Sequence, residues 1–217
     1  MRVLISIFTS NLYAGNGICQ AQRDTWLKDV SAVENLDYKF FMGRGEHPLA
    51  SDEVRLDNVG DGHENSSPKT VEIRRWALNA GYEHVFLCAN DTYVRPERLM
   101  ASGFEQYDYI GYPISNGGGA NIEGHFDLCS GGAGYWTSKQ VMEDMVNTPI
   151  TDSVEDRWTG EVVRSSGLFL TPDMRYNCFA VPSPLKSNDI ITCHLSVRTG
   201  EYDVQQMYWT HEQWVNS

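Results

Sequence analysis

The fold of this chain turns on HVFLCANDTYV, His84 to Val94. His84 to Cys88 is a short apolar run that opens after the turn-like pair Ala80-Gly81, and it reads as a strand buried on both faces. A polar triplet follows at once, Ala89-Asn90-Asp91, and then Thr92-Tyr93-Val94. Open α/β sheets place their ligands outside the carboxyl ends of the strands, so Asp91 stands where a ligand is expected. One acid at a strand end is also an ordinary loop residue, and its meaning depends on the rest of the chain.

Working outward, strands and helices alternate. Residues 2 to 8 form a first strand, followed by a Gly- and Asn-rich loop from Ser10 to Gly17 and a helix from about Ile18 to Lys28. Tyr38 to Met42 and Glu53 to Leu56 are further strands, and Asp57 to Ser67 is a long polar loop. Ser67-Pro68 opens a helix to about Asn79, with Pro at the first helical position. Beyond the central strand come a short helix from Pro96 to Ala101, a strand from Tyr107 to Tyr112, and a Gly-rich loop over 115–124. Leu128 to Trp136 combines a strand with three glycines, and Thr137-Ser138 caps a helix reaching about Val146. Glu155 to Ser165 is a helix. Short strands near Phe169, Arg175 to Phe179 and Ile190 to Cys193 precede a terminal helix over 201–215. The pattern is a single α/β domain over 1–217, one mixed sheet flanked by helices.

The 217 residues allow a substantial core. The net charge of -12 argues against a passive phosphate-backbone binder, which needs a basic face. No segment approaches the length of a membrane span, so the expectation is a soluble protein without an anchor. Five widely spaced cysteines, never in a CxxC pair, read as reduced, mostly buried thiols.

Four features fit one chemistry: Asp91 at a strand end, His194 at the end of another, Glu155-Asp156 opening a helix, and the segment Ser130-Gly131-Gly132-Ala133-Gly134. An Asp and a neutral imidazole with open positions suit Mn²⁺ or Mg²⁺ bridging a diphosphate. A separate carboxylate could take a proton from an attacking hydroxyl. Glycines let a sugar or acceptor approach the backbone closely. Singly each feature has a plain structural reading: a satisfied histidine, a helix-start acid pair favoured by the helix dipole, a tightly packed strand.

In their order, these motifs resemble the β-1,3-galactosyltransferase and Fringe-like family of glycosyltransferases. RDTW at 23–26 is similar to the family's R-x-T-W, and Pro68-Lys69-Thr70 with Trp76 to its K-T helix. FLCANDTYV resembles the strand ending in D-D-D-x-[YF]-V, CSGGAGYW resembles C-S-G-G-[AG]-G-Y, and VEDRWTG at 154–160 resembles E-D-V-x-x-G. The resemblance implies a GT-A type fold, a uridine-diphosphate (UDP) sugar donor, Mn²⁺ with Mg²⁺ as substitute, and inversion at the anomeric carbon of a hexose-like sugar. It implies that Asp91 and His194 bind the metal, and that Asp156 is the general base with Glu155 as fallback. Phe8, Thr9 and Ser10 would lie by the nucleotide base, and Arg23 and Lys69 would be diphosphate or structural partners. Gly131, Gly132, Ala133 and Trp158 fall on the acceptor side. It also implies that residues 1–112 mainly bind the nucleotide sugar and 113–217 mainly serve acceptor and metal.

This chain departs from the family at Ala89 and Asn90, which stand where acids are usual and where the ribose and the metal's water shell are expected. The absence of an anchor or paired cysteines points to a viral or bacterial, cytoplasmic version. A glycan is the expected acceptor. A hydroxylated base in DNA is the alternative, with Arg74, Arg75, Arg95 and Arg98 as a local basic surface. A non-catalytic sugar- or nucleotide-binding domain is the rival from another class. Phosphoryl transfer ranks last, because no P-loop motif is present.

Overall fold

The computed structural model describes residues 1–13, 15, 17–115, 127–177, 189–195 and 204–215. Its centre is a seven-stranded mixed sheet. The strands are β1 (Val3–Phe8), β2 (Leu36–Gly43), β3 (Glu53–Leu56), β4 (His84–Ala89), β6 (Tyr109–Gly111), β9 (Tyr135–Ser138) and β10 (Thr171–Pro172), in the order β10-β6-β9-β4-β1-β2-β3. β1 runs parallel to both β2 and β4, and β9 is antiparallel to β4 and β6. The chain therefore reverses its direction of winding between β1 and β4. That is a topological switch point, with a crevice outside the strand ends.

Alternation along each strand sends side chains to two cores. Val3, Ile5, Ile7, Phe40, Phe86, Cys88 and Trp136 face one side. That side is closed by α1 (Ile18–Asp24), α2 (Leu27–Val30), α4 (Pro96–Met100) and α7 (Gln205–Val215). Leu4, Phe41, Val85, Leu87 and Tyr135 face the other, under α3 (Ser66–Asn79), α5 (Lys139–Asn147) and α6 (Glu155–Ser165). Cover on both faces explains why β1 and β4 read as continuous apolar runs.

The sheet, the flanking helices and nearly every expected element are present. The helix expected over 18–28 is interrupted, because the Thr25 hydroxyl bonds the Ala21 carbonyl at 2.6 Å and ends α1. The wholly buried Trp26 then leads into α2. The segment read as one strand over 128–136 is two, β8 (Leu128–Cys129) and β9, joined by the turn Ser130–Gly134. Gly134 has φ +91°, and a Cβ there would run into the Phe86 ring, so the turn requires glycine. Pro68 is the third residue of α3, since the helix opens at Ser66. The Ser138 hydroxyl caps α5 by accepting from Val141 N, as expected.

Two small sheets complete the fold. β7 (Pro113–Ile114) pairs with β8. β5 (Thr92–Val94) pairs antiparallel with β12 (Thr192–His194), which also carries β11 (Tyr176–Asn177). Cys19, Cys88 and Cys129 are buried free thiols and Cys193 is buried, while Cys178 and, except for Ser115, the loop over 115–124 lie outside the described residues. No helix among the described residues is long and apolar enough to cross a membrane.

Candidate active site

The β5–β12 ladder makes the site. Its register sets His194 opposite Thr92, and Leu195 N donates to Asp91 O at 2.9 Å. Asp91 and His194, distant in sequence, thereby meet at the carboxyl end of β4, with Asp91 Oδ1 3.2 Å from His194 Nε2. The two side chains remain 14% and 24% exposed, while Asp91 Oδ1 itself is buried. Asp91 Oδ1 has no hydrogen-bond donor among the described residues.

Those facts test whether the pair fits a divalent cation. Two neighbouring ligands, each about 2.1 Å from an octahedral ion, stand about 3.0 Å apart. The observed separation is close to that, and carboxylate plus imidazole is a donor set that Mn²⁺ accepts. No group of three or more His, Cys, Asp or Glu side chains converges among the described residues. Asp91 and His194 would hold such an ion and leave most of its positions to water and ligand oxygens.

The glycine turn links this pair to the two acids. The ring of His194 occupies the space that a Cβ on Gly132 would take, and the carboxylates of Glu155 and Asp156 occupy the space beside Gly131. Gly131 N donates to Asp156 Oδ1 at 3.0 Å. Successive Cα atoms are about 3.8 Å apart, so both clusters flank one turn. Two buried threonines fix that turn from behind. Thr92 Oγ1 donates to Gly132 O at 2.5 Å, and Thr192 Oγ1 donates to Ala133 O at 2.7 Å. Gly132→Ala should therefore displace the His194 ring. The expected outcome is weakened Mn²⁺ binding by calorimetry, with the native circular-dichroism spectrum retained.

The acids differ in environment. The Tyr135 hydroxyl donates to Glu155 Oε1 and lies 3.3 Å from Thr159 Oγ1. Burial, then the adjacent Asp156 charge, push the Glu155 carboxyl well above the ordinary carboxylate range. Asp156 stands in the first turn of α6 and accepts from Gly131 N.

Around the ends of β1 and β4, Asn90 N donates to Phe8 O at 3.1 Å and Asn90 Nδ2 to Thr9 Oγ1 at 3.0 Å. Phe8, Thr9, Ala89 and Asn90 thus meet at the switch point, with Ser10 following Thr9 into the loop. Lys69 is buried there: Nζ donates to Thr9 O at 2.9 Å and to Asp61 Oδ1 at 2.8 Å. Asp61 also accepts from Asn11 N and from Gly43 N. Burial raises the Asp61 carboxyl, but Lys69 and these donors outweigh it and hold the group below its usual range. The loop over 57–67 is consequently tied to β1 and β2 through Asp61. That residue was not singled out in the sequence, and its setting in a polar Gly-rich loop was the only signal.

Three expected site residues are engaged elsewhere. Arg23 forks onto Asp52, reaches Glu53 at 2.7 Å and lies over Phe40, tying α1 to β3. Trp158 is wholly buried in the core under α6, its Nε1 donating to Pro149 O at 3.3 Å, so its ring packs and does not line the cleft. Ala133 is wholly buried as well, behind the turn. Of the four arginines considered for a basic surface, Arg74 is wholly buried and Arg75 pairs with Glu72.

No protein-family profile and no curated protein matches the sequence. Solved structures do match the fold. One is a glycosyltransferase involved in the glycosylation of the major capsid of PBCV-1, with 11% identity and a TM-score of 0.53 over 96% of this chain and 100% of that one. Another, provisionally named a nucleotide-diphospho-sugar transferase, comes from Desulfovibrio desulfuricans G20, with 12% identity and a TM-score of 0.49 over 99% of both chains. At such identities the likeness is one of fold. The chain has the mixed α/β architecture of a GT-A type nucleotide-sugar transferase.

Proposed function

We propose that this protein is a glycosyltransferase that moves a sugar, with inversion, from a nucleoside-diphosphate sugar to a hydroxyl of a glycan acceptor. A UDP-sugar is the donor favoured by the motif order. One observation carries the reading. In a nucleotide-sugar-transferase fold, Asp91 and His194 meet at the switch-point crevice and face Glu155-Asp156 across the Gly131-Gly132 turn.

Phe8, Thr9, Ser10 and Asn90 border the crevice where the nucleotide is placed, with Lys69 and Asp61 behind them. Asp91 and His194 would hold Mn²⁺, or Mg²⁺ in its place, which neutralises charge on the departing diphosphate. Asp156, opposite, takes the proton of the acceptor hydroxyl. The acceptor oxygen forms the new bond to the anomeric carbon. The bond from that carbon to the diphosphate oxygen breaks, and its electron pair leaves on the nucleoside diphosphate. Gly131 and Gly132, lacking side chains, let the two carboxylates and the His194 ring close on one turn. Ala89, where an acid is usual, leaves Asp91 as the one carboxylate of the triplet. The cation would therefore rest on fewer protein charges, and its hold on the protein would be weak without donor.

The test is a panel of nucleotide sugars with and without Mn²⁺, read as free nucleoside diphosphate. Release from one donor, abolished by EDTA, is the expected result. No release from any donor, together with no metal-dependent binding by calorimetry, would replace this reading with a non-catalytic binding domain.

A further inference from the structure

Behind the carboxylate pair lies a buried cation. Arg74, in the middle of α3, is 0% exposed. Its Nη1 donates to Ser6 Oγ at 3.5 Å, its guanidinium carbon stands 5.9 Å from the centre of the Tyr135 ring, and Nε and Nη2 have no hydrogen-bond partner among the described residues. A guanidinium keeps its charge at neutral pH even where burial lowers its proton affinity. Burying such a charge without compensation costs several kcal/mol. Ser6, Tyr109 and Tyr135, its neighbours on the sheet, are neutral. The acid nearest in this arrangement is Glu155, reached through Tyr135, whose hydroxyl donates to it. Arg74 on α3, Tyr135 on β9 and the acids of α6 are therefore neighbours, with Tyr135 hydrogen-bonded to Glu155 and its ring centre 5.9 Å from the Arg74 guanidinium.

We propose that Arg74 is a positioning residue: as the buried cation behind Tyr135 it is the countercharge that offsets negative charge on the Glu155–Asp156 pair. The catalytic meaning rests on the glycosyltransferase reading, whereas the charge linkage does not. The groups facing the pair support the assignment. Tyr135 from β9, Tyr109 from β6 and Cys129 from β8 are held neutral by burial. On α6 itself, Arg157 is engaged by Asp152. Arg74 from α3 is the buried cation among these groups. Without it, desolvation and the Asp156 charge would act on Glu155 with less opposition.

The test compares wild type, Arg74→Met, Arg74→Lys and Tyr135→Phe, each with and without Glu155→Gln. Thermal unfolding of the metal-free protein is followed from about pH 5 to about pH 8. The folded chain holds the Glu155 proton more tightly than the unfolded chain, so this group's contribution to stability is fully present at low pH. It is lost as pH rises through the folded titration. Removing the countercharge tightens that hold further. The fall in Tm with pH should therefore deepen in Arg74→Met and Tyr135→Phe and stay at the wild-type slope in Arg74→Lys. The deepening should vanish when Glu155 is Gln. If Arg74→Met fails to fold, Arg74→Gln removes the same charge and takes its place. An unchanged slope in the Arg74 variant that lacks the charge, or a deepening that persists without Glu155, overturns the assignment. Where transfer is measured, the acid limb of kcat/KM should move to higher pH in Arg74→Met and Tyr135→Phe, and an acid limb that stays at the wild-type position also overturns it. A linked stability slope in a wild-type protein inert toward every donor and acceptor supports the countercharge and removes the glycosyltransferase reading.

Discussion

Asp91→Ala should lower donor turnover by about 10²–10³-fold, which is about 3–4 kcal/mol of transition-state stabilisation, while leaving the fold intact. The two halves of this expectation have separate grounds. Asp91 Oδ1 accepts no hydrogen bond among the described residues, so loss of that oxygen strands no donor there. The backbone of Asp91 still accepts from Leu195 N and keeps the β5–β12 ladder closed. Melting temperature is therefore expected within a few degrees of wild type, as for a surface substitution. The loss falls on the cation, which would keep His194 alone. An imidazole without its carboxylate is a poor site for Mn²⁺ or Mg²⁺, both of which favour oxygen ligands. Calorimetric titration with Mn²⁺ in the presence of donor should show the weakened affinity directly. Raising Mn²⁺ should recover part of the turnover. Unchanged turnover and unchanged Mn²⁺ affinity would remove Asp91 from the metal site.

The reach of the sequence can be judged at these same residues. β4 was legible because both its faces are covered, so Val85 to Cys88 had to be uniformly apolar. β3 and α6 fall at the expected residues, Glu53–Leu56 and Glu155–Ser165, because each is a local pattern with local ends. The meeting of Asp91 with His194 is of another kind. It depends on one antiparallel ladder between strands of three residues each, and neither strand names its partner. Motif order suggested the pairing, and local pattern did not. Arg23 illustrates the converse. Its charge suggested a diphosphate partner or a structural one, and which applies was decided by Asp52 and Glu53, on β3 and just before it, closing on α1. Arg74 looked like surface charge beside Arg75. Only the packing of α3 on the sheet shows one arginine inside and the other out.

Asp156→Asn is expected to keep donor and Mn²⁺ binding and to lose about 10²–10⁴-fold in transfer, the usual worth of a positioned general base. The substitution is nearly isosteric, and Gly131 N still finds an oxygen acceptor in the amide, so the turn that carries Gly132 against His194 should hold. The metal pair belongs to β5 and β12, whereas Asp156 belongs to α6, so the two functions are separable in the fold. Glu155→Gln distinguishes the roles of the two acids. Glu155 is engaged by Tyr135 and pushed toward its protonated form by burial and by Asp156, so it is the poorer base at neutral pH. Its loss should reduce transfer less than the loss of Asp156. Single-turnover transfer from a bound donor, measured across pH for both variants, separates the cases. Full transfer by Asp156→Asn with a dead Glu155→Gln would exchange the two assignments. Full transfer by both would place the base elsewhere in the crevice.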